Sequence, residues 1–442
     1  MISNRFERAL RREELISRVG QIVRCAGTIV EADGPDAYLG EICEIASMRS
    51  GEITFAEVIG INNGKTLLFP YGDVAGVSVG CEVFATGRLP TAKVGNEALG
   101  KVLNAFGEPY ADDQRFDAET EYPLNAQPLN PLKRTPISQR LHTGIKVIDH
   151  FLSIGVGQKI GIFAGGGVGK TSLLQQIVQG TDADICVIAL IGERGREVLD
   201  FVRHISASKI LERTVVVAAT SDQPAIMRQR AAYYATALAE YFRDQSKNVL
   251  LVMDSVTRFG MAQREIGLAI GDMPTARGYT VSTFSNLTRL VERCGAIEGK
   301  GSISGVYTIL VEGDDLNEPL SDTMRATLDG HIVLSRELAN ERRFPAVDLL
   351  HSTSRVMPAV VDKQALSWAS QLIRVVAFYE RYKELVNLGV YEPGSNPKLD
   401  QVLNVIPVIQ EFLSQDSNVL VDAEVGRVGL AKLFTHISEI EV

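Results

Sequence analysis

The sequence predicts an α/β protein. A mostly parallel β-sheet forms the centre of the chain, a small all-β domain precedes it and a helical domain follows it. Between residues 136 and 350, short and fully apolar runs alternate with helical segments, which is typical of a parallel sheet covered on both faces. Residues 19–89 contain short β-rich runs separated by turns, and residues 351–442 show helical periodicity without such runs.

The composition narrows the class of protein. A chain of 442 residues suggests two or three domains, and 45% apolar with 22% charged residues is a normal soluble balance. The net charge of −9 argues against nucleic acid as the main partner. The five cysteines form no CxxC pair, and no apolar run is long enough to span a bilayer. We therefore expect a cytoplasmic protein without a zinc site, which could still lie on a membrane surface.

The first 18 residues predict a short amphipathic helix, because Phe6, Leu10 and Leu15 fall roughly on one helical face. A solvated terminal helix fits this pattern, and so does an arm that docks on a partner or on a membrane. The sequence leaves both interpretations open.

The rest of the chain divides at changes of pattern. We expect a β-barrel or sandwich at residues 19–89, the sheet domain at 90–350 and a helical domain at 351–442. Proline-rich residues 90–135 predict a connector that wraps the sheet domain. The expected strands of the sheet are residues 160–164, 186–191, 214–219, 249–253, 306–311 and 331–334. The expected C-terminal helices are residues 366–386 and 399–415, with a break at 389–397.

One string carries the strongest chemical signal. After an apolar strand that ends at Ala164 and before an apolar-periodic helix, the chain reads Gly165, Gly166, Gly167, Val168, Gly169, Lys170, Thr171, Ser172. Glycines let the backbone wrap around phosphates with its N–H groups inward, and the helix adds its positive end. We expect Lys170 at the β- and γ-phosphates and the Thr171 hydroxyl on Mg²⁺, so the predicted ligand is Mg²⁺ with ATP. Ala164 stands where the strict motif has glycine, which is tolerable at negative φ.

Two acids follow predicted strands. Asp254 ends the run at 249–253, where an acid faces the ligand crevice, so we favour a metal role over helix capping. Glu193 follows the run at 186–191 and could polarise the attacking water. An exposed acid at a helix start explains Glu193 equally well, and the residues alone leave that choice open.

Three further residues have a functional and a plain structural explanation. Arg258 and Arg355 could neutralise charge on a transferring phosphoryl group, although a surface arginine is the commoner case. Phe344, on a loop after the last predicted strand, could stack on adenine, but a core aromatic is preferred from the sequence alone. Spacing decides none of the three.

Together these strings resemble the hexameric ATPases of type III secretion, flagellar and injectisome, which are related to the catalytic subunits of rotary ATP synthases. The resemblance covers roughly residues 20–440 and is strongest from 136 to 357. The matching stretches are residues 143–149, 163–171, 192–197, 254–259, 262–266, 311–315, 328–336 and 354–356.

This resemblance implies a RecA-like P-loop NTPase core between an N-terminal β-barrel and a C-terminal helical domain. It also implies roles for the residues that were left open. By this resemblance, Glu193 is the catalytic carboxylate, Arg194 lies near the γ-phosphate and Glu197 is a second acid near the metal. Arg258 is the arginine that follows the metal aspartate, and Phe344 contacts adenine. Arg355 is an arginine finger that is given to the neighbouring subunit.

An assembly and a function follow from the same resemblance. In rotary synthases the catalytic subunit carries the glutamate and a non-catalytic partner supplies the finger, whereas Glu193 and Arg355 lie in one chain here. This favours a homohexamer. The implied activity is Mg-dependent ATP hydrolysis that energises type III export, unfolding or delivering substrates to the export gate. Further implied partners are a negative-regulator or stator protein at the N-terminus, a central stalk protein and chaperone–substrate complexes, at the inner face of the bacterial cytoplasmic membrane.

Other classes stay open at this stage. A catalytic subunit of a rotary ATP synthase would need a partner chain of the same fold. An RNA-dependent hexameric translocase would carry aromatic residues in a basic groove of its barrel, which the acidic total and the few aromatics of residues 19–89 argue against. A non-enzymatic nucleotide-binding scaffold is disfavoured because the hydrolytic set looks complete. The sequence does not separate a flagellar from an injectisome protein.

Overall fold

A computed structural model describes residues 18–47, 52–438 and 440 of the chain. The predicted N-terminal helix at residues 1–18 lies outside the described residues, apart from Arg18. The described part contains a barrel, a central sheet covered by helices and a group of C-terminal helices. The predicted fold class is therefore confirmed.

The first domain is a closed six-stranded barrel in the order β1-β2-β5-β4-β3-β6. Its strands are β1 (Val19–Ala26), β2 (Ile29–Asp33), β3 (Ile42–Ala46), β4 (Ile53–Asn62), β5 (Lys65–Pro70) and β6 (Glu82–Ala85). The chain turns between β1 and β2 at Gly27, whose φ of +59° suits glycine. Alternate residues such as Cys43 and Ile45 point into a core of the barrel's own.

Short elements connect the barrel to the sheet domain. They are β7 (Thr91–Val94), β8 (Val102–Leu103), β9 (Thr120–Pro123), β10 (Arg140–Leu141), α1 (Lys146–Phe151) and β11 (Ile154–Gly155). β7 pairs with β9, and Arg230 of the sheet domain donates hydrogen bonds to the carbonyls of Thr91 and Ala105. The connector is thus tied onto the sheet domain, as its prolines predicted.

The central sheet has nine strands. In chain order after β8 they are β12 (Lys159–Ala164), β13 (Ile185–Ile191), β14 (Thr214–Ala219), β15 (Asn248–Asp254), β16 (Gly295–Ala296), β17 (Ser302–Leu310), β18 (Gly330–Leu334) and β19 (Val347–Ser354). The helices among them are α2 (Lys170–Gly180), α3 (Gly195–Ser206), α4 (Ala225–Asp244), α5 (Val256–Ala269), α6 (Val281–Val291), α7 (Pro319–Thr327) and α8 (Arg336–Asn340). Across the sheet the order is β19-β18-β12-β17-β15-β13-β14-β8, with β16 beside β17.

The parallel pairing places the carboxyl ends of these strands side by side. Ala164 pairs with Leu310 on one side and with Leu334 on the other, so the strand carboxyl ends share one edge. All residues of β12, β13 and β14 are buried, and their side chains alternate between two hydrophobic clusters, one on each face of the sheet. Continuous apolar strands therefore formed the doubly covered sheet that they predicted.

The last strand corrects two expectations. We expected the sheet to end at residue 334 and residues 351–442 to contain no strand, but β19 runs antiparallel to β18 through residue 354. Only its first half carries the apolar signal, because Val347 and Leu349 are buried whereas His351 and Thr353 are exposed. The predicted domain boundary at residue 350 lies inside this strand.

Among the described residues, four helices follow β19: α9 (Met357–Val360), α10 (Lys363–Asn387), α11 (Pro397–Leu413) and α12 (Ala423–Ile437). The two longest correspond to the expected helices, while α12 was not predicted. Leu372, Ile406 and Leu433 of these helices belong to the same buried cluster as Ile162 of β12. The helical domain is therefore packed against the sheet domain and shares its core.

Candidate nucleotide site

The glycine-rich loop connects β12 to α2 at the carboxyl edge of the sheet. Gly167 and Gly169 have φ angles of +79° and +90°, a region that side chains rarely adopt, so glycine is required at both. Ala164 is the last residue of β12 and keeps the extended backbone that tolerates alanine. Val168 is buried below the loop, while Thr171 and Ser172 are exposed on the first turn of α2. The helix starts at Lys170, so its free N–H groups face the loop.

Lys170 brings the two strand-end acids together. Its Nζ atom lies 2.5 Å from Asp254 Oδ1 and 3.6 Å from Glu193 Oε1. The Thr308 hydroxyl donates to the same Asp254 oxygen at 2.7 Å. Burial would lower the pKa of Lys170, but the charges of Asp254 and Glu193 outweigh it and raise that pKa. Lys170, Asp254 and Glu193 thus form one charged cluster in front of the glycine loop.

Glu193 and Glu197 titrate as a pair. Burial, followed by the charge of Asp254, raises the pKa of Glu193 to about 7. A hydrogen bond with Glu193 lowers the pKa of Glu197, which is the more exposed of the two. Of the two carboxylates, Glu193 is therefore the better proton acceptor.

The predicted arginines lie around this cluster at different depths. Arg258 packs on the turn at Gly192, where an added Cβ would come within 2.9 Å of the arginine's own Cβ. The Arg194 side chain is 82% exposed and pairs with Glu197 at 3.8 Å. Arg258 and Arg194 therefore both lie next to Glu193. Arg258 is half-buried, and the Arg194 side chain is in solvent.

A cavity of about 640 Å³ lies beside the glycine loop, on the side away from Glu193 and Asp254. Phe344 forms part of its wall and faces Gly169, at whose position an added Cβ would lie 3.3 Å from Phe344 Cε1. Residues 414–417 after α11 also line the cavity, which no motif in the sequence indicated. The Gln415 N–H donates to the Phe344 carbonyl at 2.8 Å, and Gln176 Nε2 donates to the Asp416 carbonyl at 2.9 Å. The helical domain is thus built into this cavity.

Arg355 is not part of this cluster. It directly follows β19, whose Ser354 pairs with Gly330 at the start of β18, whereas Leu334 at the other end of β18 pairs with Ala164. Arg355 therefore lies at the sheet edge opposite the glycine loop, roughly 15 Å away at about 3.3 Å per strand residue. It is exposed, and its N–H donates to the Asp329 carbonyl at 3.1 Å.

The oxygen donors at the loop fit a magnesium ion that arrives with a nucleotide. The exposed Thr171 hydroxyl and the Asp254 carboxylate are hard ligands of the kind that Mg²⁺ prefers. No group of three or more His, Cys, Asp or Glu side chains that could hold a metal occurs among residues 18–47, 52–438 and 440. In the same described part of the chain, no helix is long and apolar enough to cross a membrane.

A parallel sheet, a strand–glycine loop–helix unit, a lysine at the helix start and an acid at the end of β15 define a P-loop nucleoside triphosphatase with a RecA-like core. Comparisons with known proteins agree. The family models "ATP synthase alpha/beta family, nucleotide-binding domain" and "ATP synthase alpha/beta family, beta-barrel domain" match residues 144–354 and 22–87. The model "T3SS EscN ATPase C-terminal domain" matches residues 361–431.

Whole-chain relatives specify the family further. The chain is 47% identical to the flagellum-specific ATP synthase of Bacillus subtilis, over 91% of this chain and 92% of the relative. It is 42% identical to the type 3 secretion system ATPase of Xanthomonas euvesicatoria, over 95% of each. The assembled ATPase EscN of the enteropathogenic E. coli type III secretion system superposes with a TM-score of 0.89 at 41% identity, covering 94% of this chain and 99% of EscN. EscN has also been solved in complex with its central stalk EscO. The chain belongs to this family of flagellar and type III secretion ATPases.

Proposed function

We propose that this chain hydrolyses Mg-ATP to energise type III protein export, flagellar or injectisome, as a ring of identical subunits. The observation that carries the proposal is the position of Lys170, which bridges Asp254 and Glu193 in front of the glycine loop. A lysine held by two acids at a helix start is suited to exchange those acids for phosphate oxygens. Family membership supports the same activity.

The residues of the loop bind and orient the nucleotide. The N–H groups of residues 165–172 and the Lys170 ammonium contact the phosphates, and Phe344 contacts the base in the 640 Å³ cavity. Thr171 and Asp254 hold Mg²⁺, which when bound neutralises charge on the phosphates. ATP phosphates compete with Asp254 for Lys170, so nucleotide binding releases that carboxylate.

Glu193 acts on the attacking water. Its carboxylate orients the water and accepts its proton as the water oxygen attacks the γ-phosphorus and ADP leaves with the bridging oxygen. Glu197, hydrogen-bonded to Glu193, orients that carboxylate, and its lowered pKa leaves Glu193 as the proton acceptor of the pair. Arg194 and Arg258 supply positive charge beside the transferring group.

Arg355 completes the site of the neighbouring subunit. Its place at the opposite sheet edge, roughly 15 Å from its own glycine loop at about 3.3 Å per strand residue, supports a role between subunits. Because Glu193 and Arg355 lie in one chain, identical copies suffice, and the proposed assembly is a homohexamer. The assembled state of the relative EscN supports this.

Partners and place in the cell follow from the family and remain part of the proposal. The ring contacts a central stalk protein, as EscN does with EscO, and works at the cytoplasmic face of the bacterial membrane. The ring binds chaperone–substrate complexes, and ATP hydrolysis unfolds the exported chains or delivers them to the export gate. The N-terminal segment meets a negative regulator or stator protein, and nucleic acid is not a partner.

Two substitutions test the hydrolytic site. Lys170→Ala should abolish Mg-ATP binding while the fold survives, since the lysine supplies charge at the phosphates. Glu193→Gln should keep binding and lose about 10²–10⁴ in turnover, since the isosteric amide accepts no proton. Glu298→Gln, at an exposed glutamate before β17 on the far edge of the sheet, is the matched control and should leave turnover unchanged. Normal Mg-ATP binding by the Lys170 variant contradicts the phosphate-loop assignment, and normal turnover of the Glu193 variant moves the base to another residue.

A further inference from the structure

Three segments that are distant in sequence converge on the outer side of the glycine loop. Arg336, the first residue of α8, donates from Nη1 to the Gly166 carbonyl at 3.1 Å. The same guanidinium forms a fork with Asp314, from Nε to Oδ2 at 2.9 Å and from Nη2 to Oδ1 at 3.4 Å. All three guanidinium nitrogens thus donate hydrogen bonds. The acceptors are Asp314 and the Gly166 carbonyl, and neither belongs to the Lys170 cluster.

The loop sequence makes room for this ion pair. A Cβ added at Gly165 would lie 2.6 Å from Arg336 Nη2 and closer still to Asp314 Oδ1. Asp314 itself has a φ of +58°, a left-handed conformation in which a short acidic side chain is tolerated. Its neighbour Asp315 pairs with Arg277 at 2.8 Å, so a second ion pair holds the segment that carries Asp314.

The contact with Gly166 has a consequence for the ligand side of the loop. The C=O of Gly166 and the N–H of Gly167 belong to one trans peptide unit and point in opposite directions. A donor that holds the carbonyl outward therefore turns the Gly167 N–H inward, where a phosphate is bound. Arg336 and Asp314 are 48% and 47% exposed, and an ion pair this exposed contributes little to stability.

We propose that Arg336 is a positioning residue of the phosphate loop: with Asp314 it presets the 166–167 peptide in the orientation that receives nucleotide phosphate. This inference rests on the proposed function and adds a residue to it. Arg336 acts through Gly166 and touches no substrate, so its loss weakens nucleotide binding more than it slows the chemical step.

The test compares variants by titration with Mg-ADP and by ATPase kinetics. Arg336→Gln should raise the Kd for Mg-ADP and the KM for ATP about tenfold, the typical effect of one lost charge-assisted hydrogen bond, with a much smaller change in kcat. Arg336→Lys should restore part of the affinity, because it keeps the charge and one donor. Asp314→Asn should weaken binding in the same direction, and adding it to Arg336→Gln should cost nothing further.

Gly165→Ala provides an independent variant, because its methyl group displaces the ion pair without altering either partner. It should weaken Mg-ADP binding alone and add little to Arg336→Gln. Arg427→Gln, which breaks the exposed Arg427–Asp362 pair in the helical domain, is the matched control and should bind normally.

Three results overturn the inference while leaving the proposed function intact. The first is an Arg336→Gln protein that binds Mg-ADP as the unaltered protein does, and the second is a multiplication of the separate effects of Gly165→Ala and Arg336→Gln. A weakened Arg336→Gln beside a fully normal Asp314→Asn also overturns it, since Arg336 would then act on the ligand directly. If the unaltered protein binds no Mg-ADP, the proposed function fails as well.

Discussion

The Gln415 side chain fixes the wall of the nucleotide cavity that the helical domain supplies, and its replacement by alanine tests that connection. Gln415 is 7% exposed. Its Oε1 atom accepts from the Lys146 N–H at 2.9 Å, and its Nε2 atom donates to the carbonyls of Gly144 and Val419 at 2.7 Å each. The amide therefore ties residues 414–419 to the start of the sheet domain.

The expected loss of stability follows from these three contacts. Gln415→Ala leaves the Lys146 N–H and the Val419 carbonyl without their partner, whereas the Gly144 carbonyl still accepts from the Val421 N–H at 2.9 Å. An unpaired buried group costs about 1–3 kcal/mol. Water reaches part of the vacated volume beside the open cavity, so we expect a total near the lower end, about 2–4 kcal/mol. At about 2–4 °C per kcal/mol for domains of this size, the melting temperature should fall by roughly 5–15 °C.

The same substitution should weaken nucleotide binding. The Gln415 N–H still donates to the Phe344 carbonyl, but the segment that presents it is no longer anchored. We expect the KM for ATP to rise severalfold while kcat changes less, because Gln415 lines the cavity together with Phe344 and Glu193 does not line it.

Differential scanning fluorimetry and steady-state ATPase assays measure both effects. Gln371→Ala is the control, because Gln371 donates a single hydrogen bond, to the Ile437 carbonyl at 2.9 Å, elsewhere in the helical domain. It should lower the melting temperature less and leave the KM for ATP unchanged. A Gln415→Ala protein with normal melting and normal KM would refute the reasoning, as would an equal rise of KM in the Gln371 control.

Two further predictions concern the base and the N-terminus. Phe344→Ala should raise the KM for ATP about tenfold through the lost aromatic contact, whereas Phe344→Tyr should bind nearly normally, and equal KM values for the two variants would assign Phe344 to packing alone. Deletion of residues 1–18 should leave basal ATPase activity in place but weaken binding to anionic liposomes or to a regulatory partner, in a sedimentation or pull-down assay. Unchanged binding to both would favour a solvated terminal helix.

The parts of the fold that follow from local patterns were predictable. Buried parallel strands have continuous apolar sequences, so the positions of β12 to β15 follow from the amino-acid sequence alone. The glycine loop depends on positive φ angles at Gly167 and Gly169, and glycine at those positions is a direct sequence signal. The position of Asp254 beside the glycine loop was predictable because the end of a parallel strand fixes which edge of the sheet the residue faces.

The remainder depends on contacts that no local pattern reveals. β19 was not predicted because an edge strand buries only part of its length, and His351 and Thr353 face solvent. Residues 414–417 reach the cavity through tertiary packing of α11, more than 200 residues after the glycine loop. The Arg336–Asp314 pair joins the start of α8 to the turn after β17 and carries no motif of its own. The position of Arg355 at the far sheet edge likewise follows from the antiparallel turn into β19.

The central claim is that each active site takes Glu193 from one subunit and Arg355 from the next. Arg355→Ala alone and Glu193→Gln alone should each be nearly inactive, since a finger supplied from a neighbour is worth about 10³–10⁵ in rate. In a mixed ring, a subunit that carries Arg355→Ala still has its own Glu193. If the neighbour that donates an arginine to this site carries Glu193→Gln, its Arg355 is intact. That site therefore contains both Glu193 and Arg355.

The most direct measurement is therefore the ATPase rate of mixed rings. The two variants are combined as monomers, assembled together, and checked for ring formation both separately and in the mixture. Recovery of a substantial part of the unaltered rate in the mixed rings is the predicted result. Mixed rings that form and remain as inactive as either parent would contradict the claim, and would assign Arg355 to its own subunit or to the fold.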